Sequence, residues 1–293
     1  MDFSPARSKE KDPITIRTTV GLPLLSGAFG KEHPIETYLK SINELLTIHR
    51  QVAGFNPALA RLYPIAIVDG DEFLIYDRVE DSSGYRFIKK EPIPMPIPRG
   101  VRAAFPLEAY GGRIACVVTP EVFDTLEGYV TILHEFVHGY QFETCELTLK
   151  NKLDIALQAQ EKGDFMWKIQ HPFPYQAGIF ARYYQEFLEA LSRGEAGDIL
   201  AVREVLYFCL GRHDFEYMVW QEWKEGFARW IENRLRIMLG LPENSGGRKP
   251  PFSRVTFYAG GAVLVDYLQG QDPTLAQDLG ALFYRISLPM IFN

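Results

Sequence analysis

EVFDTLEGYVTILHEFVHGYQFET, residues 121–144, carries apolar side chains at helical spacing around one polar pentapeptide, His134-Glu135-Phe136-Val137-His138. On a helix, positions i and i+4 share a face one turn apart, so two imidazoles there can approach one metal ion. The residue after the first His projects beside that face, where a carboxylate reaches a metal-bound water without ligating the metal. The pattern reads as two ligands, His134 and His138, and a general base, Glu135. With 6 His in 293 residues, chance supplies on the order of 0.01 such pentapeptides. The plainer alternative is a helix with two hydrogen-bonded histidines and a solvated glutamate. Thr119 or Thr125 would cap the helix, and YGGRIACVVTP just before it reads as a Gly-bounded strand ending at Pro120.

Upstream, residues 34–50 place Ile35, Leu39, Ile42, Leu45 and Leu46 at helical spacing. ARLYPIAIVDGDEFLIYDRV then shows two apolar runs around Asp-Gly-Asp, a hairpin signal. EPIPMPIPRG, residues 91–100, alternates proline with apolar residues and predicts an extended loop or edge segment. Residues 1–15 are polar and predict a loosely held terminus. Downstream, helical patterns cover 146–162, 178–193, 197–211, 214–239 and 257–269, with a loop over 241–253. The expected architecture is α+β: a sheet-containing part over residues 1–120, a helical part over 121–293, and a cleft between them.

Composition narrows the function classes. Hydrophobic residues make up 47% and charged residues 23%, with a net charge of −6, a globular balance. A mildly acidic chain argues against nucleic acid and against anionic membranes as partners. Cys116, Cys145 and Cys209 form no CxxC pair, which argues against a disulfide scaffold or a cysteine-only zinc site. No stretch reaches the ~18 apolar residues of a membrane span, and MDFSPARSKEKDPIT has no signal-peptide core. A cytoplasmic location is expected. Gly21, Gly27 and Gly30 form no phosphate-binding pattern, and no GxSxG nucleophile motif is present.

Two imidazoles do not complete a catalytic zinc site, which takes three protein ligands and an open position. His33, His49, His171 and His213 lie outside the short spacing a third histidine would need. WQEWKEGFARWIENRL, residues 220–235, offers carboxylates instead. Glu225 and Glu232 are seven residues apart, close to two turns, and so share a face. Glu222, three residues before Glu225, competes for the third-ligand role. Gly226 and Ala228 are small enough to admit a neighbouring helix. Trp220, Trp223 and Trp230 form a helical stripe that belongs to a core. Tyr140, Tyr207, Tyr217, Arg212 and His213 are weaker candidates for an oxyanion donor.

HEFVH followed by W-x-x-x-x-EGFAxWxE resembles the gluzincin metallopeptidases, with the nearest local likeness to the aminopeptidase-N-like branch, whose second motif reads NEGFAxYxE. The resemblance implies Zn²⁺ as cofactor, Glu225 as third ligand and Glu232 as its supporting carboxylate. Tyr258-Ala-Gly-Gly is similar to the family's Y-x-x-G segment and implies an oxyanion-donating role for Tyr258. It also implies a zincin-like fold, with 110–119 as the edge strand flanking substrate. The chain departs from the family in several places. Between His138 and Glu225 lie 86 residues, which implies a helical insertion near 146–215. Lys224 stands where the family has Asn. Arg229 stands where thermolysin-like enzymes have Asp. No GAMEN-like segment, which would hold a substrate's free amino terminus, precedes the motif. The implied activity is zinc-dependent hydrolysis of a peptide or small amide. The alternatives are a catalytically silent zincin-fold protein and a metal-free helical binding module.

Overall fold

The computed structural model of the protein describes residues 34–78 and 84–290; the expected loose terminus at 1–15, His33 and the three early glycines lie outside them. The first helix, α1 (Pro34–Val52), leads into β1 (Ile65–Asp69) and β2 (Glu72–Arg78). These two strands pair antiparallel across Gly70, whose φ of 61° suits a tight two-residue hairpin turn. Then come β3 (Tyr85–Pro92), β4 (Arg102–Leu107) and β5 (Arg113–Val118). The sheet runs β3-β2-β1-β5-β4, with β1 and β5 parallel and the other neighbours antiparallel.

The edge strand beside the helices is therefore β4, and not 110–119 as expected. β5, inside that stretch, is central, and from Ile114 to Val118 it is buried on both faces. Such an unbroken apolar run is how an interior strand reads. β4 (RAAFPL) is largely exposed and carries Pro106, which cannot donate to a ladder and is tolerated at an edge. Its pairing with β5 from Arg102↔Val118 to Leu107↔Arg113 leaves its other side unpaired among the described residues.

The sheet buries two faces. Ile65, Ile67, Cys116 and Val118 join the main core with Leu133, Val137 and Phe227. Ala66, Phe73, Ile75 and Val117 form a smaller cluster on the other face, roofed by Ile93 and Ile97 of the proline-rich segment. That segment is an extended cover over the sheet.

α2 (Leu126–Gln141) is capped by Thr125, whose side chain accepts from Gly128 N. A π-helical turn at Phe142–Glu146 carries it into α3 (Leu147–Lys150). Short helices α4 (Asp154–Glu161) and α5 (Trp167–Gln170) precede α6 (Gly178–Arg193). α7 (Ala196–Met238) breaks at Gly211, with φ 71° and ψ 172°, so residues 196–210 and 212–238 run as separate rods. α8 (Arg254–Gln271) and α9 (Leu279–Ser287) close the fold. The sheet and helical parts belong to one unit with a shared core. No helix among the described residues is long and apolar enough to cross a membrane.

Candidate metal centre

α2 and the second rod of α7 lie side by side and place the polar residues of both motifs in one cleft of about 680 Å³. His134 and His138, one turn apart, stand with ring centroids 4.8 Å apart and planes at 83°. Glu225 faces both: its Oε2 is 3.9 Å from His134 Nε2 and 3.3 Å from His138 Nε2. One ligand atom from each of the three residues lies within 4.8 Å of the others.

The other ring nitrogens are occupied. His134 Nδ1 donates to Glu232 Oε2 at 3.1 Å, and His138 Nδ1 donates to Gln141 Oε1 at 2.8 Å. The Gln141 amide is oriented by its Nε2, which donates to Lys224 O at 3.0 Å and leaves Oε1 toward the imidazole. Both acceptors take a hydrogen from Nδ1, which leaves Nε2 of each ring as the nitrogen that faces Glu225. Hydrogen-bond acceptors behind ligating histidines set tautomer and orientation in this way. Glu232 is itself held by Arg229 Nε at 3.0 Å and by Asn244 Nδ2, which donates to its Oε1 at 3.0 Å. Burial raises the Glu232 pKa, but His134 and Arg229 outweigh it and keep the carboxylate ionised. Burial raises the Glu225 pKa, but attraction to the protonated form of His138, and then of His134, outweighs it and holds the carboxylate below its usual range.

Glu222 points elsewhere. It is fully buried, pairs with Arg203 Nη1 at 2.9 Å and accepts from the Tyr184 hydroxyl at 3.1 Å. Of the two carboxylates competing to face the imidazoles, only Glu225 does so.

Glu135 lines the same cleft and makes no hydrogen bond or ion pair among the described residues. Tyr258 lines it too. It arrives there through the α7–α8 contact: a Cβ at Gly226 would come within 2.5 Å of Gly261 Cα, so only glycine permits this approach of the backbones. Gly261 follows Tyr258 by three residues, nearly one turn, which brings Tyr258 to the same side as Glu225. Burial, followed by the negative charge of Glu225, raises its pKa and keeps the phenol protonated. The loop over 241–253 folds back along α7, with Asn244 N donating to Asn233 Oδ1 at 2.8 Å.

The weaker oxyanion candidates do not line the cleft. Tyr207 packs against Phe208 and Phe215, Tyr217 is buried, Arg212 pairs with Asp154 and Glu216, and His213 meets Gln158. Tyr140 packs at the edge of the core. Trp220, Trp223 and Trp230 are buried, as their stripe predicts.

Three features of the site go beyond the sequence motifs. Gln141 sits three residues after His138, a spacing that places it on the same face and is the one local signal of its role. Glu146 lines the cleft between Lys168 Nζ at 2.8 Å and Lys224 Nζ at 2.5 Å, which ties α5 and the π-helical turn to α7. Phe165, Met166 and Ile169 are exposed apolar residues that line the cleft together with β4. Neither the clamp nor this apolar lining has a local signature. Comparison of the chain with models of protein families, with curated proteins and with solved structures gave no match.

Proposed function

We propose that this protein is a zinc-dependent hydrolase of the gluzincin kind that cleaves amide bonds, with a peptide as substrate. One observation carries the reading. Two imidazole Nε2 atoms and the Glu225 carboxylate converge on one point, while Glu135, with no partner of its own, opens onto the same cleft. Two nitrogens and one carboxylate suit Zn²⁺, whereas Mg²⁺ and Ca²⁺ take oxygen shells. A mixed sheet with an antiparallel edge strand on one side of the cleft, and helices on the other, agrees with a zincin-like fold.

Zinc held by His134, His138 and Glu225 supplies an electrophile that polarises a carbonyl and acidifies a water. The protein's residues do the rest. Glu135 accepts the proton of the attacking water at its carboxylate and returns it to the leaving nitrogen. The Tyr258 hydroxyl donates to the substrate oxygen as that atom gains charge. Glu232 and Gln141 hold the two imidazoles in the ligating tautomer. The unpaired side of β4 offers backbone groups to an extended chain, except at Pro106, which has no N–H.

The test is a zinc assay by mass spectrometry combined with peptide turnover, on the wild-type protein and on Glu135→Gln. About one zinc per chain is expected in both, with turnover lower in the variant by about 10²–10⁴-fold. Turnover that survives complete chelation would refute the reading. Stoichiometric zinc without cleavage of any peptide would leave a silent zinc-binding protein in its place.

A further inference from the structure

The charges of the cleft are unevenly matched. Glu225 faces the two imidazoles and Glu232 is taken by His134 and Arg229. Glu146 is taken twice, by Lys168 and Lys224. Glu135 is the remaining carboxylate of the lining, and a general base bound to a substrate ammonium could not do its work. The cleft therefore has no carboxylate to spare for a free amino terminus. Cations are in the opposite position. Arg254 lines the cleft and makes no ion pair or hydrogen bond among the described residues. It opens α8, where the helix dipole disfavours a positive charge, and its own helix offers it a ring, Tyr258, but no carboxylate in the first turn. Adding a divalent metal increases the positive excess.

Position makes this charge specific. Arg254 precedes Tyr258 by four residues, on one face of α8, and its guanidinium carbon is 5.7 Å from the Tyr258 ring centroid. An extended residue spans roughly 3.5 Å, so an anion paired with Arg254 lies within about three residues of a carbonyl that accepts from Tyr258. Arg102, at the start of β4, is the other cation of the lining without a carboxylate partner, but it belongs to the opposite wall.

We propose that the cleft takes peptides by a carboxylate at their C-terminus, that Arg254 pairs with this group, and that cleavage releases one to three C-terminal residues. Cleavage rests on the hydrolase reading above; carboxylate binding does not. A side-chain carboxylate near the scissile bond offers the same chemistry, and the test separates the two sources.

Affinity is read by calorimetric titration of an N-acetylated tripeptide, as free acid and as C-terminal amide. The zinc-loaded Glu135→Gln protein prevents turnover, and metal-free protein removes any contribution of zinc to carboxylate binding. The acid should bind tighter by about 10- to 100-fold, as expected for a charge-assisted pair. Adding Arg254→Ala should bring the acid-to-amide ratio close to one, and Arg254→Lys should keep part of it. An equal affinity for acid and amide overturns the proposal. So does a ratio that Arg254→Ala leaves intact, or one removed by Arg102→Ala instead. An amide ending in Asp or Glu that binds as tightly as the free acid replaces terminal recognition by side-chain recognition. Mass spectrometry of products from wild-type zinc protein should show ladders shortened from the C-terminus; internal cuts made equally in acids and amides sink the proposal while sparing the hydrolase reading. Carboxylate binding through Arg254 with no cleavage does the reverse.

Discussion

Two glutamates three residues apart on α7 have opposite surroundings. Glu222 is sealed in the core against Arg203, Tyr184 and the backbone of Gly261. Glu225 looks into the cleft at two imidazoles. Burial raises the Glu222 pKa against the pull of Arg203 and Tyr184, whereas the imidazoles draw Glu225 down. The same stretch of helix thus holds the α6–α7–α8 packing together at Glu222 and, one turn on, presents Glu225 to the two imidazoles. The difference shows that a carboxylate's role follows from what the neighbouring helices place opposite it, since both residues share the same local sequence.

Removing each carboxylate in turn puts this contrast to its most severe test. Glu225→Ala should abolish stoichiometric zinc and turnover together, with a smaller loss of melting temperature in the zinc-free protein than Glu222→Ala causes. Glu222→Ala should leave zinc affinity nearly unchanged but cost about 3–5 kcal/mol of stability, because Arg203 is left buried without its counter-charge. Zinc titration and thermal melts of both variants distinguish the two, and a swapped result would move the ligand to Glu222. Next in size is Tyr258→Phe, which should lower kcat by about 10²–10³ with little change in KM, as loss of one oxyanion donor does. An unchanged kcat would assign Tyr258 to the cleft wall alone.

The contact between the two faces can be strained directly. Gly226→Ala forces a Cβ against Gly261, and overpacking of this kind costs about 1–3 kcal/mol. Because the same contact positions Tyr258, kcat should fall in parallel; a variant of wild-type stability would show that the helices separate freely. The smallest effect is on pH. Burial raises the Glu146 pKa, but Lys224 and Lys168 overcome it and draw the value from 4.5 to about 2. A depressed carboxylate contributes stability that is complete above pH 4.5 and is lost as pH falls toward 2. The loss should be on the order of 1 kcal/mol, less than the Glu146 shift alone implies, since burial also lowers the pKa of Lys168. Denaturant midpoints of wild type and Glu146→Gln should converge across that window; parallel curves would remove the clamp from the stability of the insertion.

Much of the candidate site can be read in the amino-acid sequence. HEFVH and EGFARWIE are local patterns, and helix geometry alone places His134 with His138 and Glu225 with Glu232 on common faces. The DGD hairpin, the Gly226 approach and the tryptophan stripe follow from equally local rules. The edge strand does not, because strand order depends on which partner each strand meets. RIACVV and RAAFPL differ in apolar content, and the more apolar one occupies the interior of the sheet.

Local residue order suffices for the helix bearing both histidines, the α+β composition, and the short list of carboxylates available as a third ligand. It does not suffice for the contacts between elements. Packing of the whole chain decides that Glu225 and not Glu222 meets the imidazoles, that Glu232 and Gln141 face the two Nδ1 atoms, that Lys168 reaches Glu146, and that Arg254 enters the cleft without a carboxylate partner. Periodicity encodes which residues share a face of one element; which faces meet depends on the close approach of separate elements, and at Gly226 and Gly261 that approach is set by the absence of two Cβ atoms.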